Sequence, residues 1–269
     1  MGKACEERVG RNSSILPAGE SVIALQLMPD HLHGVLHVTE RLPSHLGHII
    51  NGFKKGCNDA WRKLKCDNCV IDTRNTSTST ALGKADNLWE WGYHDRILRH
   101  RGQLVTLFRY LRDNPRRLWV KRNNPDFFTT ISGVKIGDTV VSALGNQFLL
   151  DYPLKIQVQC SRSLTDEEID EKCESTLRQA CDINAVLVSP CISPGEKKIM
   201  EQAFNAGFPQ IILLENGISH MQKPGGRQFD ACAQGRLLLL SPWEHHNDRH
   251  TITREQCLQL NALASKICR

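Results

Sequence analysis

Two histidines two residues apart, His31 and His33, are the residues whose types and spacing point most directly to chemistry. In a β-strand, residues i and i+2 project from the same face, so the two imidazoles would lie side by side. Neighbouring imidazoles can supply part of a divalent-metal site that other segments or water complete. A pair of half-buried strand histidines without a ligand role is the alternative, and the spacing alone leaves both interpretations open.

The stretches on either side of the histidines have the composition of β-strands. Residues 22–27 form an apolar run with two branched residues, and residues 35–38 form another. Pro29 and Asp30 lie between them and favour a turn, because proline fixes φ and aspartate can hydrogen-bond its own backbone. The sequence therefore predicts two strands joined by a turn, with the histidines at the start of the second strand.

The string Met28-Pro29-Asp30-His31-Leu32-His33 resembles a motif of the HUH single-tyrosine transposases, in particular the REP-associated branch. In that family the motif lies between two strands of a ferredoxin-like sheet, and asparagine is usual where this chain has Asp30. The resemblance implies that His31 and His33 bind Mg²⁺ or Mn²⁺, and that the metal polarises the scissile phosphate of single-stranded DNA. It also implies a tyrosine nucleophile on a later helix.

A tyrosine in a matching context occurs further along the chain. A helix is predicted from Gly102 onward, because apolar residues recur on one side. On it lies Tyr110-Leu111-Arg112-Asp113-Asn114-Pro115, which resembles the family's Tyr-Ile-x-x-Asn-Pro. Residues four apart project from one helix face, and the resemblance makes Tyr110 the nucleophile and Asn114 a third metal ligand. Without the resemblance, Tyr110 would be a half-buried helix tyrosine with its hydroxyl in water.

The transposase resemblance implies that basic residues on two segments contact DNA. A helical pattern over residues 43–64 places Lys54, Lys55 and Arg62 on its polar side. Residues 88–99 resemble the family's Trp-x-x-Gly-Tyr-x-Asp-x-Ile-x-Arg strand segment, and they contribute Arg96 and Arg99. A solvated helix face is an equally weighted interpretation of the helix lysines.

The charge of the chain is divided unevenly. Residues 1–130 carry 20 lysines and arginines against 13 acidic residues, a net charge of +7, whereas residues 131–269 carry 14 against 16, a net charge of −2. This asymmetry favours contact between a polyanion and the first half alone. An ordinary solvated surface is not excluded by a charge of this size.

A length of 269 residues accommodates two domains. The predicted organisation is a disordered tail over residues 1–20, an HUH transposase-like domain over 21–126 that contains a flexible loop at 66–87, and a second domain over 127–269. Relatives usually carry further strands before the histidine motif. The N-terminal sheet is therefore expected to be incomplete.

The second domain is predicted to be an α/β domain with a mainly parallel sheet, because apolar strands alternate with helices. Ligands of such sheets bind beyond the carboxyl ends of the strands, and the helix that opens at Pro194 offers free N–H groups to an anion. The pattern resembles the Rossmann-like superfamily of DNA-processing protein A and lysine-decarboxylase-like proteins, whose members bind nucleotides, nucleotide-derived ligands or single-stranded DNA. Turns that need glycine and proline are the alternative explanation of these loops. The predicted ligand-binding residues are Ser161, Arg162, Ser189, Ser193, Gly195, Glu196, Gly217 and Gly225.

The sequence favours a bacterial cytoplasmic protein without a membrane partner. No apolar run approaches the roughly 18 residues that a membrane span needs, and the N-terminus lacks the apolar core of a signal peptide. Eleven scattered cysteines are typical of reduced thiols in a chain of this size. A homodimer is expected from the transposase resemblance, since relatives often dimerise.

The predicted function is metal-dependent nicking and rejoining of single-stranded or hairpin DNA through a covalent 5′-phosphotyrosine at Tyr110. A phenol with a pKa of about 10 needs nearby positive charge to favour the phenolate. One alternative is a domesticated protein that binds DNA hairpins without cutting them. Another is a Rossmann-like protein that binds a nucleotide-like ligand and uses the first domain as a DNA-targeting module.

Overall fold

The computed structural model describes residues 20–68, 87–247 and 252–269. The predicted disordered tail therefore lies outside the described residues except at its last position, as does most of the loop predicted at 66–87. The chain divides into two compact units between Arg116 and Arg117. This division falls inside a helix, ten residues before the boundary predicted after residue 126.

The first unit contains one antiparallel pair of strands and two helices. Strands β1 (Glu20–Leu27) and β2 (Leu32–Val38) pair so that Gln26 lies opposite His33. Helix α1 (Leu46–Asn68) follows, and helix α2 (Gln103–Asn123) begins at the position that the sequence predicts.

The ferredoxin-like sheet implied by the transposase resemblance is not shown, because the sheet of the first unit has two strands within the described residues. Residues 88–99, predicted as a strand, are irregular and mostly exposed. The beginning of this segment is bonded to side chains of α1 and not to a neighbouring strand. Asn58 Oδ1 accepts the backbone N–H of Leu88 at 2.8 Å. The aromatic and branched composition that favours a strand is thus overridden by contacts with the helix.

The second unit is built on a six-stranded sheet in the order β3-β4-β8-β7-β6-β5, and the prediction of a mainly parallel sheet is confirmed. The last four strands of this order are parallel, and β3 and β4 form an antiparallel hairpin at one edge. The strands are β3 (Ile131–Ile136), β4 (Thr139–Gly145), β5 (Lys155–Gln157), β6 (Val186–Ser189), β7 (Gln210–Leu213) and β8 (Leu237–Ser241). The helices that accompany them are α3 (Asp166–Asp182), α4 (Pro194–Ala206), α5 (Gly226–Ala233) and α6 (Arg254–Ile267). Short 3₁₀ turns occupy Pro125–Phe128 and Gln147–Asp151.

Both faces of this sheet are covered, which explains why its strands read as continuous apolar runs. All five residues of β8 are buried. Leu238 and Leu240 pack in one core cluster with α6, whereas Leu237 and Leu239 pack in another around Phe229 of α5. The alternation follows from the two-residue period of a strand. None of the described helices is long and apolar enough to cross a membrane.

Candidate functional site

The two histidines of the motif lie together as the sequence predicts. His31 directly precedes β2 and His33 is its second residue. Their Nε2 atoms are 3.0 Å apart, and the rings meet edge to face with centroids separated by 4.6 Å. The two nitrogens therefore converge on one small volume at the beginning of the strand.

Asp30 orients the first of these rings. Its Oδ1 lies 2.7 Å from Nδ1 of His31, so the carboxylate accepts the Nδ1 proton. This contact orients the imidazole ring of His31. The pKa of His33 is lowered, first by burial and then by the charge of His31, so the neutral form of His33 is favoured.

The spacing of the two nitrogens fits a shared divalent ion. Ligands in neighbouring positions of an octahedron, each about 2.1 Å from the ion, lie about 3.0 Å apart. Within the described chain, no group of three His, Cys, Asp or Glu residues is placed to hold a metal. The remaining ligands would be an amide oxygen, for which Asn114 is the candidate, and water, as is common for Mg²⁺.

Tyr110 lies beside the histidines although 79 positions separate it from His31. Its ring is edge-on to His33, with centroids 5.9 Å apart, and its side chain remains 44% exposed. Leu111 is buried and anchors this turn of α2. Asn114 is half-buried one helical turn later, on the same face as Tyr110. The structure thus brings together His31, His33 and Tyr110, the three principal residues of the predicted site.

The predicted DNA-contacting residues of α1 have different environments. The ammonium group of Lys54 donates to the carbonyls of Glu90 and Gly92. Arg62 contacts Asp59 at 3.1 Å and Asn87 at 2.9 Å. Both side chains therefore fasten residues 87–92 to the helix, whereas Lys55 is exposed on the helix surface.

The other two predicted DNA contacts, Arg96 and Arg99, are exposed and line a groove of about 420 Å³ in the first unit. Its remaining lining residues are Asp95, Ile97, His100 and Gln103. Gln103 Oε1 accepts the backbone N–H groups of Arg99 and His100 at 2.9 and 3.1 Å. This double contact fixes the turn that leads into α2.

Three predicted ligand-binding residues of the second unit are buried and bonded to the backbone. Ser189 donates to the Val158 carbonyl at 3.2 Å and accepts the N–H of Cys191. Ser193 and Glu196 form a capping box at the start of α4. The Glu196 carboxylate also accepts N–H groups from Cys160 and Ile192. These side chains shape the loops at the carboxyl ends of β5 and β6.

Two of the three glycines predicted to bind a ligand lie where neighbouring atoms leave no room for a side chain. A Cβ on Gly195 would lie 2.3 Å from Cys160 Sγ, and one on Gly217, whose φ is +73°, would lie 2.3 Å from the Glu244 carbonyl oxygen. Gly225 has open space around it and precedes α5. Ser161 bonds Ser163 at 2.8 Å between hydroxyl oxygens, and both Ser161 and Arg162 are exposed.

Sequence reasoning missed a basic cluster on the second unit. The Arg117 guanidinium lies 4.2 Å from the Phe229 ring centroid, and the Lys121 ammonium lies 5.6 Å from it. The pKa of Lys121 is lowered by partial burial and by the charges of Lys223 and Arg117. The net charge of −2 over residues 131–269 conceals this cluster, because two of its members precede that range.

No family model matches this chain, and no curated protein matches it. Among solved structures it is similar to DNA processing protein A from Helicobacter pylori, which was described for its single-stranded DNA binding mode. The two chains share 19% identity at a TM-score of 0.37. The match covers 52% of this chain and 66% of that one, so it spans just under two thirds of the other protein.

Proposed function

We propose that the first unit nicks and rejoins single-stranded or hairpin DNA, with Tyr110 as the nucleophile. The observation that carries the proposal is the convergence of Tyr110 with His31 and His33 from distant parts of the chain. The ring of Tyr110 lies against His33, whose Nε2 is 3.0 Å from that of His31. The exposure of the site gives a DNA strand access to the hydroxyl.

The reaction is a phosphoryl transfer to the phenol oxygen. Tyr110 Oη attacks the scissile phosphorus, the bond from phosphorus to the 3′ oxygen breaks, and a 5′-phosphotyrosine and a 3′ hydroxyl form. The phenol proton leaves to solvent and the departing 3′ oxygen gains one, so no oxidant or other reactant is required. Attack by a 3′ hydroxyl on the phosphotyrosine reverses the step and rejoins the strand.

The residues around Tyr110 have separate roles in this scheme. Asp30 holds the ring of His31, and His31, His33 and Asn114 would hold Mg²⁺ or Mn²⁺. A bound ion supplies Lewis acidity at a phosphate oxygen. The α2 backbone keeps the phenol beside this site, which supplies the positioning that a transfer of this kind depends on.

Tyr93 is the nearest alternative nucleophile in the sequence, and its surroundings differ from those of Tyr110. A Cβ on Gly47 would lie 3.5 Å from the Tyr93 hydroxyl, so this hydroxyl lies against the beginning of α1. Tyr110, in contrast, has its ring against His33.

The proposal is tested by incubating the full chain with an end-labelled single-stranded hairpin and Mn²⁺, followed by denaturing electrophoresis. We expect a labelled band that migrates with the protein and disappears in EDTA. A fully paired duplex of the same sequence is the control and should give no such band. Absence of the band with the hairpin, under conditions where the chain binds it tightly, would contradict cleavage.

A DNA hairpin-binding protein that does not cut is the second candidate. The small sheet supports it, since the described part of the first unit has two strands. Such a protein would bind the hairpin with the same affinity in Mn²⁺ and in EDTA and would form no covalent product.

A further inference from the structure

Trp91 is the most exposed large hydrophobic residue of the described chain, at 94%. Two positions earlier, Trp89 is half-buried and its ring lies 6.4 Å from that of Phe53 on α1. One indole of this Trp-x-Trp segment therefore packs on the protein, and the other projects into solvent. Tryptophan seldom exposes so much apolar surface to water, because burying that surface lowers the free energy of the protein.

The backbone on either side of Trp91 is fixed by hydrogen bonds, and this keeps the indole exposed. The Lys54 ammonium donates to the carbonyl of Glu90 at 2.8 Å and also to that of Gly92, the residues on either side of Trp91. Gly92 has a φ of +88°, a conformation that favours glycine, and it turns the chain directly after the indole. The segment therefore presents Trp91 from a fixed turn.

A groove with guanidinium groups follows closely in the chain. Arg96 and Arg99 line it, with Asp95 as its one acidic lining residue. Four positions separate Trp91 from Asp95, at most about 14 Å of extended chain. An exposed aromatic surface and a positively charged groove therefore belong to one short segment.

This combination is the one by which proteins bind single-stranded nucleic acid. Unpaired bases stack on aromatic side chains while basic residues follow the phosphates. A duplex does not offer the free base face that Trp91 could cover. A second copy of the chain would bring a second set of arginines to the same surface, where like charges repel.

We infer that Trp91 is a stacking platform for an unpaired base of single-stranded DNA, and that Arg96 and Arg99 bind the adjoining phosphates. The inference rests on the proposed function, for which it identifies a substrate-binding site separate from Tyr110. It assigns the unpaired strand beside a hairpin, rather than the paired stem, to this segment.

The test is the affinity of the full chain for a fluorescently labelled single strand, measured by anisotropy in EDTA so that no cleavage occurs. Trp91→Ala should weaken binding about 10- to 100-fold, the range typical of a lost stacking contact. Trp91→Phe keeps a ring and should lose less. Trp119→Ala is the matched control, because it removes an indole that is 65% exposed elsewhere on the chain, and it should leave the affinity unchanged.

Several results would overturn the inference. One is a parent chain that binds no single strand, and another is a Trp91→Ala variant that binds it as tightly as the parent. An equal loss for Trp91→Ala and Trp119→Ala would also overturn it. So would a change in molar mass by light scattering in Trp91→Ala, which would make the indole part of an interface between copies.

The outcome is separable from that of the proposed cleavage. A parent that binds through Trp91 but forms no covalent product in Mn²⁺ would refute nicking and leave the stacking site intact. A parent that forms the covalent product, together with a Trp91→Ala variant that binds normally, would refute the stacking site and support nicking. Tighter binding of RNA than of DNA of the same sequence would also overturn the assignment to DNA.

Discussion

Glu196 of the second unit and the histidine–tyrosine group of the first unit differ in exposure and in bonding. In the second, Glu196 is 4% exposed and its carboxylate accepts backbone N–H groups from two loops. In the first, the side chain of His31 is 45% exposed and Tyr110 is 44% exposed. Buried side chains saturated by the backbone stabilise loops, whereas exposed side chains that converge on each other remain available to a substrate. This difference is the reason that the proposal assigns the chemistry to the first unit.

The largest effect expected from this contrast is the loss of cleavage in His31→Ala and in His33→Ala. Each variant removes one of the two converging nitrogens, so Mn²⁺-dependent cleavage of a hairpin should fall below detection. The melting temperature should change little, because these side chains bury little apolar surface. Electrophoresis of the labelled hairpin measures the first quantity and thermal denaturation the second.

His37→Ala is the matched control for these variants. His37 is exposed on the same strand, four positions after His33, and its removal should leave cleavage unchanged. Cleavage at the parent rate by both His31→Ala and His33→Ala would locate the metal site elsewhere.

Glu196→Ala should destabilise the second unit by about 3 kcal/mol, because it leaves buried N–H groups without an acceptor. Glu168→Ala is the control, since Glu168 fills the equivalent position of an exposed capping box with Thr165. It should cost about 1 kcal/mol or less. Urea denaturation measures both. Equal costs would show that Glu196 is no more than a helix cap, and the contrast between the units would weaken.

The strands of the second unit were predictable because burial on both faces leaves its mark on composition. Residues 237–240 are four consecutive leucines, and all are buried. The capping box of α3 was predictable for a local reason, since Thr165 and Glu168 bond within one turn. Helix α5 was missed because Pro224, Gly225 and Gly226 read as a loop and the helix has only eight residues.

The structure was harder to predict where contacts between residues distant in the sequence determine the local conformation. The strand predicted at 88–99 fails because α1 side chains, not a strand, bond to its beginning. Asp30 was interpreted as a turn residue and as a departure from a family motif, and its bond to His31 depends on a side-chain conformation that no pattern encodes. The burial of Glu196 was likewise hidden, because the same capping sequence occurs with an exposed glutamate at Glu168.

Gly195→Ala should destabilise the second unit by about 2 kcal/mol, because the new methyl group would overlap Cys160 Sγ. Gly225→Ala is its control and should change stability by less than about 1 kcal/mol, since nothing lies within 4 Å of a Cβ there. Urea denaturation distinguishes the two. A Gly195→Ala variant as stable as the parent would show that the start of α4 has room for a larger side chain. Such free space is what an open ligand site would have.

A pH-dependent effect is also expected, namely a loss of stability at alkaline pH that originates in the second unit. Burial raises the pKa of Cys191 to about 11 and that of Cys232 to about 12. A raised pKa means that the unfolded thiol ionises first, so the contribution to stability is complete below about pH 9 and is lost as pH rises toward the folded values. The loss should approach about 1.4 kcal/mol per thiol and pH unit.

Urea denaturation between pH 8 and pH 11 measures this dependence, and Cys232→Ala should make it shallower. Cys181→Ala, at an exposed cysteine, is the control and should leave the slope unchanged. A slope that neither variant alters would assign the alkaline loss to other groups.

The central claim, that Tyr110 attacks DNA, is tested most directly by Tyr110→Phe. This substitution removes one oxygen and keeps the ring against His33, so stability and hairpin affinity should change little. Parent, Tyr110→Phe and Tyr93→Phe are incubated with a labelled single-stranded hairpin and Mn²⁺, denatured and separated by electrophoresis. We predict a covalent protein–DNA band for the parent and for Tyr93→Phe and none for Tyr110→Phe. A band of undiminished intensity from Tyr110→Phe would contradict the claim.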